Sequence, residues 1–298
     1  MPWRSAAFGG AAWLALAGVW AVGALGLIEL LFLLAPLVTV PLGMALIAGD
    51  RPTAFLRTAR TVQPWAAAAA AASFFVPAGT WAALLAVPWL GVAALVGLEG
   101  LSRCFRGGWA RFLDTAAMLF LPVGGAWLFI SRSGRTDLVM GFPEPIVLLT
   151  AVHFHFTAFV GPILAARAGA ASSFCPGSRF LFRLSGPGIV LATPLLAVGF
   201  VVSERLKLAA VLVLCASFMG VALLSLRALP RLNGRWPRLL LGISGATVIV
   251  GMAFAAIFEL GSYTGAAWLS IPQMARTHGF LNGVGFGVCG LLAWTVDR

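Results

Sequence analysis

LAAVLVLCASFMGVALLSL, residues 208–226, is a run of nineteen positions without one charged side chain. A helix that crosses the ~30 Å hydrocarbon layer needs about 20 predominantly apolar residues. The run lacks the alternation of a barrel strand, and in hydrocarbon only helices and closed barrels satisfy every backbone N–H and C=O. It therefore reads as a transmembrane helix. Its flanks fit that reading, with Glu204, Arg205 and Lys207 before it and Arg227 and Arg231 after it. Comparable runs occupy the rest of the chain. Residues 5–48 are too long for one span and read as two, turning near Gly23 to Gly26. Residues 62–98 make two more, broken around Pro77, Ala78 and Gly79. The remaining spans are expected at 112–130, 143–166, 184–203, 239–258 and 271–296, ten in all.

Composition agrees with this count. Of 298 residues 61% are hydrophobic and only 10% charged, with a mean hydropathy of +0.99, which excludes a soluble domain that must cover its surface with ionisable groups. The sequence predicts an all-α polytopic bundle forming a single transmembrane domain over 1–298, with no soluble domain. The formal charge of +11 would suggest nucleic acid in a soluble protein; here the cations punctuate apolar runs and act as topology signals. Arg4, Arg51, Arg57, Arg60, Arg103, Arg106, Arg111, Arg167, Arg179, Arg183, Arg227, Arg231, Arg235, Arg238 and Arg298 fall on one side. Arg132, Arg135, Arg205, Lys207 and Arg276 fall on the other. The positive-inside rule then places both termini in the cytoplasm and the protein in the cytoplasmic membrane, with lipid as a partner and nucleic acid not. Arg4 before an Ala/Leu/Val-rich stretch imitates a signal peptide, but the apolar pattern runs on to Ala48 and reads as an uncleaved first span. The four cysteines have neither disulfide nor zinc-ribbon spacing. The seven alanines Ala66 to Ala72 read as a close-packing face. Prolines within spans (Pro36, Pro41, Pro88, Pro122, Pro162, Pro187, Pro194) release backbone carbonyls and favour broken helices around an internal cavity.

Titratable residues inside spans are costly and therefore mark functional sites. Those expected in the outer half are Glu29, Glu144, His153, His155, Glu259, Tyr263, Arg276, His278 and the polar Asn282; all three histidines and the single tyrosine of the chain are among them. Glu99 and Asp114 sit at the opposite edge, where Arg103 and Arg111 offer partners. On a regular helix His153 and His155 are about 200° apart, so one of them faces away, whereas Glu144 and His155, about 1100° apart, share a face. His278 and Asn282 also share a face, continued by Gly285 and Cys289. Ser270 and Pro272 look like a helix start, which puts His278 about 10 Å inside the helix.

Several chemistries fit this set. The leading one is an enzyme acting on a lipophilic, isoprenoid-like small molecule by proton transfer, such as cyclisation or isomerisation. There His153, His155 and His278 supply acid or base and Glu29, Glu144 or Glu259 orient them. Asn282, Tyr263, Phe154, Phe156, Trp268 and Arg276 would bind the substrate, Phe159 and Phe280 adding to an aromatic wall. No cofactor is required by the sequence. A bound metal held by His278 with His153 or His155 is an alternative, although no helix carries an i,i+4 ligand pair. A transport or proton pathway through the same groups is another, and interhelical hydrogen bonding alone is the plainest.

The segments AVHFHFTAF (Ala151–Phe159) and MARTHGFLNGVGF (Met274–Phe286) resemble those of the YndJ-like family of bacterial integral membrane proteins. The resemblance is best from about Glu144 onward, and the stretch ELLFLLAPLVTVPLG beginning at Glu29 is compatible with it. It implies a multi-span membrane protein. Carried over by position, it marks His153, His155, His278, Gly279 and Asn282.

Overall fold

The computed structural model describes residues 2–49, 52–104, 109–139 and 141–297; Arg51, Arg106 and Arg298 of the charge-asymmetry argument lie outside the described residues. Among the described residues ten long helices follow one another: α1 Pro2–Ala21, α2 Leu27–Ile47, α3 Ala54–Ser73, α4 Thr80–Arg103, α5 Trp109–Ser133, α6 Ile146–Ala171, α7 Ser178–Val202, α8 Glu204–Ala228, α9 Arg235–Thr264 and α10 Ile271–Val296. No strand occurs among the described residues. Eight of these helices are long and apolar enough to cross a membrane; α1 and α3 are diluted by glycine, Arg4, Arg57, Arg60 and Gln63. The protein is an all-α polytopic membrane protein.

The turns fall where the sequence places them, for identifiable reasons. At the end of α1, Gly23 takes φ 78° and its N–H reaches Trp20 O, while Ala24 N–H reaches Val19 O. Gly265 and Ala266 close α9 in the same way on Ser262 O and Gly261 O. Both are left-handed helix ends in which glycine avoids the steric cost of a Cβ. Ser270 and Gln273 form a reciprocal cap at the start of α10. Between α7 and α8 a single extended residue, Ser203, makes the turn. A Cβ on Gly199 would lie 2.6 Å from the Lys207 backbone, so that corner requires glycine. Between α5 and α6, Arg135 donates to the Asp137 carboxylate at 3.0 and 3.1 Å, and these hydrogen bonds hold the Asp137 carboxyl below its ordinary range.

The chain divides into two compact units, Met1–Arg106 with Thr115–Phe159, and Gly107–Asp114 with Val160–Arg298. In the first, α2 is the centre: every residue from Leu30 to Ala48 is buried, as expected for a helix apolar on all faces. It is also broken. Residues Ala35–Thr39 are π-helical, which pairs each carbonyl with the N–H five residues on. Pro41 has no N–H for the Pro36 carbonyl, and Gln63 from α3 supplies one, Nε2 to O 2.7 Å. Ser5 of α1 then donates to the Gln63 carbonyl oxygen at 2.5 Å. The alanine run of α3 buries one stripe, Ala66, Ala67 and Ala70, continued by Gln63 and Ser73. Glu99, fully buried, pairs with Arg103 at 2.5 Å as the sequence predicts, and accepts from Thr53 Oγ1. In the second unit α7 packs on α8, α8 on α9 and α9 on α10. Asp114 pairs there with Arg167 at 2.7 Å.

Candidate functional site

The proposed site residues fall into both units, and each group is described within its own. In the first unit, α6 departs from α-helical geometry over Phe154–Val160. Such π segments are uncommon and recur at functional sites. His155 lies inside this stretch with no exposed surface. Its Nδ1 is 2.7 Å from Ala151 O, and a carbonyl only accepts, so Nδ1 carries the proton. Its Nε2 therefore accepts, and the Trp89 indole N–H of α4 donates to it at 3.0 Å. Both ring nitrogens are engaged, in a neutral imidazole that ties α6 to α4. Trp89 is also stacked beside the ring, centroids 5.9 Å apart, and Phe32 meets it edge-on at 5.1 Å. Gly124 of α5 leaves the remaining space: a Cβ there would stand 2.7 Å from His155 Nδ1.

His153, one residue before the π stretch and half-buried, donates from Nδ1 to Leu149 O at 2.7 Å. Phe154 is buried beside Phe120, ring centroids 6.0 Å apart. The two carboxylates serve helix starts. Glu29 Oε2 accepts from the Gly26 N–H, and Glu144 Oε2 accepts from the Leu148 N–H at 3.2 Å. Glu144 precedes α6 and is not part of it, because Pro145 stands between. The rotational argument that put Glu144 and His155 on one face does not apply to it. Arg132, assigned by sequence to an outer loop, closes the last turn of α5 and lies within Coulombic range of both Glu29 and Glu144. Its Nη2 donates to Ser73 O and Val76 O at 3.1 and 2.9 Å, and its guanidinium sits 4.9 Å from the Phe74 ring centroid. Phe74 in turn touches Phe32 at 5.8 Å. Aromatic rings thus link Arg132 to His155.

In the second unit, α10 is π-helical over Ala275–Gly279 and again over Leu281–Val288. His278 lies in the first stretch, half-buried, and donates from Nδ1 to Gly251 O of α9 at 2.8 Å. The ring thereby has a fixed tautomer, with Nε2 as its basic nitrogen. Asn282, which the sequence puts on the same face, is in contact: its Nδ2 is 3.1 Å from His278 Nδ1 and 3.4 Å from Nε2. Its Oδ1 is buried without a hydrogen-bond donor. Gly251 is indispensable to this contact, since a Cβ would come within 2.2 Å of Asn282 Oδ1. Ser244 donates to Phe286 O at 2.9 Å, serving a carbonyl of the second π stretch.

Glu259 has a different neighbour. It is buried, and its Oε1 lies 3.5 Å from Lys207 Nζ, about 12 Å along α9 from Gly251 at 1.5 Å per residue. Lys207 is buried as well, and also meets Glu204 at 2.7 Å and the Phe200 ring at 5.2 Å. Tyr263, Trp268, Phe280 and Arg276 are exposed, and Phe156 of the first unit is half-buried. Sequence reasoning missed Lys207, Arg132, Trp89 and the two glycines. Lys207 carried one usable signal, being the only lysine in the chain. Among the described residues no group of three His, Cys, Asp or Glu side chains is placed to hold a metal ion. A cavity of about 550 Å³ opens in the first unit, but its walls, from Thr58 to Leu98, include none of these polar groups.

The profile of the YndJ-like protein family matches residues 30–286, which include both histidine-bearing segments, the Glu29 helix from its second turn and the Lys207–Glu259 pair. The chain is also 30% identical over 181 residues to the uncharacterized membrane protein YndJ of Bacillus subtilis (strain 168), an overlap covering 60% of this chain and 32% of that protein. It thus spans about a third of that relative's length. No solved structure matches. With the family profile covering most of the chain, this protein belongs to the YndJ-like family.

Proposed function

We propose that this chain is a multi-pass protein of the cytoplasmic membrane that acts on a lipophilic, isoprenoid-like small molecule by proton transfer, with His278 as acid and base. The observation that carries the reading is the hydrogen bond from His278 Nδ1 to Gly251 O. It fixes the tautomer and ring orientation and makes Nε2 the accepting nitrogen, toward which the Asn282 amide donates at 3.4 Å; general acid–base histidines are held in one tautomer in this way. Asn282 orients the ring or the substrate, and its buried Oδ1 is available to a donor on the bound molecule. His155, which has no exposed surface where His278 is only half-buried, acts as an interhelical tie between Ala151 O and the Trp89 indole.

A proton transferred to carbon leaves a record in D2O. Membranes containing the protein, incubated in D2O and extracted, yield a lipophilic species one mass unit heavier, and His278→Ala abolishes that gain. Identical isotope patterns from wild type, His278→Ala and protein-free membranes overturn the proposal. The buried Lys207–Glu259 pair favours a second reading, a proton pathway; on it the isotope pattern is indifferent to His278.

The orientation with arginine-rich ends in the cytoplasm is part of the proposal, supported by the charge asymmetry. Cys104 is exposed at such an end of α4. A membrane-impermeant maleimide is expected to label it only after permeabilisation, and to label Ala266→Cys, in the α9–α10 turn, in intact cells. The reverse pattern inverts the topology.

A further inference from the structure

Within the first unit, α3 and α4 leave an open apolar groove of about 550 Å³ lined by Thr58, Val62, Trp65, Pro88, Gly91 and Leu95, among others. The lining is two helical stripes, Thr58, Val62 and Trp65 on α3 and Pro88, Gly91 and Leu95 on α4, spaced three to four residues apart so that each set shares a face. Two features call for an occupant. Gly91 stands inside a helix, where glycine costs about 1 kcal/mol relative to alanine. Yet a Cβ there would meet nothing within 4 Å, so neither its backbone nor its neighbours require glycine. Trp65 is 80% exposed and stands midway along α3, about 16 Å from its start at 1.5 Å per residue. The indole forms one wall of the groove. At the end of α3 that borders it, Arg57 is exposed immediately before Thr58, with Nη1 donating to Pro52 O at 3.3 Å. Nearby Arg60 and Arg103 donate to the backbone carbonyls of Met44 and Ile47, and Glu99 is bound to Arg103.

We propose that the α3–α4 groove seats an acyl chain of an anionic glycerophospholipid whose phosphate is held by Arg57. A slot with apolar walls and an exposed cation adjoining Thr58, the first of its lining residues on α3, matches that amphiphile in charge and apolar character. The inference does not rest on the reading of His278.

Native mass spectrometry of the detergent-solubilised protein with added phosphatidylglycerol or phosphatidylcholine tests it. One retained phosphatidylglycerol is expected, preferred about fivefold over phosphatidylcholine, the scale of one arginine at an anionic surface. Gly91→Leu, which fills the groove, removes retention of both lipids. Arg57→Ala, at an exposed position, removes the preference and keeps the acyl chain. Retention unchanged in Gly91→Leu overturns the proposal, as does equal binding of the two lipids by wild type. A dimer that Gly91→Leu dissociates overturns it too, assigning the groove to a second copy of the chain. Should Gly91→Leu fail to fold, Leu95→Trp fills the same groove from its other end and is read in the same way.

Discussion

Lys207→Met is expected to destabilise the protein by about 3–5 kcal/mol, the range for leaving one partner of a buried ion pair uncompensated. Lys207 and Glu259 have side chains only 8% and 6% exposed, at 3.5 Å separation. Without the ammonium, the Glu259 carboxylate must stay charged in an apolar surrounding, take up a proton, or draw α8 and α9 apart. Glu204 is 61% exposed, so its contact with Lys207 is screened by solvent and contributes little. The companion expectation separates pairing from packing. Lys207→Met/Glu259→Leu, which removes both charges and keeps comparable volume, recovers most of the loss, because a buried pair is often replaceable by well-packed apolar groups. Thermal or denaturant unfolding in detergent measures both variants. A Lys207→Met protein as stable as wild type would show that the pair is not desolvated in the membrane.

The second large effect is expected at Gly124. Alanine there places a methyl carbon 2.7 and 2.8 Å from two His155 ring atoms and 3.1 Å from Phe154 Cβ. The imidazole has nowhere to move. Trp89 and Ala151 hold its two nitrogens, and Phe32 and Trp89 close its sides. Overpacking of this kind costs about 1–3 kcal/mol, and displacement of the ring also leaves the Trp89 N–H unpaired. Gly91→Ala is the internal control: the same methyl meets nothing within 4 Å, and helix propensity favours it. If Gly124→Ala and Gly91→Ala unfold together with wild type, the tight packing of His155 is wrong. Combining Gly124→Ala with His155→Ala is expected to be less damaging than the two losses added, since the clash needs both groups.

Helix count and turn positions were legible because a long uncharged run in a chain this apolar has one low-energy form, and because Gly23 follows one helix and Gly79 precedes another in positive-φ conformations that residues with a Cβ rarely adopt. Helix ends were less legible. α3 begins at Ala54 and α9 runs to Thr264, beyond the apolar windows, because Arg57, Arg60 and Glu259 are accommodated inside helices by partners that hydropathy does not see. The π segments were not legible either. Pro36 and Pro41 mark the one in α2, but those of α10 contain no proline, and the change of period misdirects any rotation computed at 100° per residue. For the site, scarcity picked out the histidines, and the i,i+4 spacing of His278 and Asn282 became a real contact. What scarcity did not reveal is that each histidine donates to a backbone carbonyl, an acceptor present at every position and so invisible in sequence. Assignment of Lys207 to a loop failed because Ser203 alone makes the α7–α8 turn, which draws the next residues into a helix.

That single lysine has a practical corollary. Lys207 is the only lysine in a chain otherwise charged by arginine, and its amine is sequestered between helices. Amine-directed reagents and lysine-specific proteases therefore meet no open lysine in this chain, and modification at Lys207 counts the molecules in which α8 and α9 have separated. The ion pair doubles as a built-in chemical reporter of unfolding.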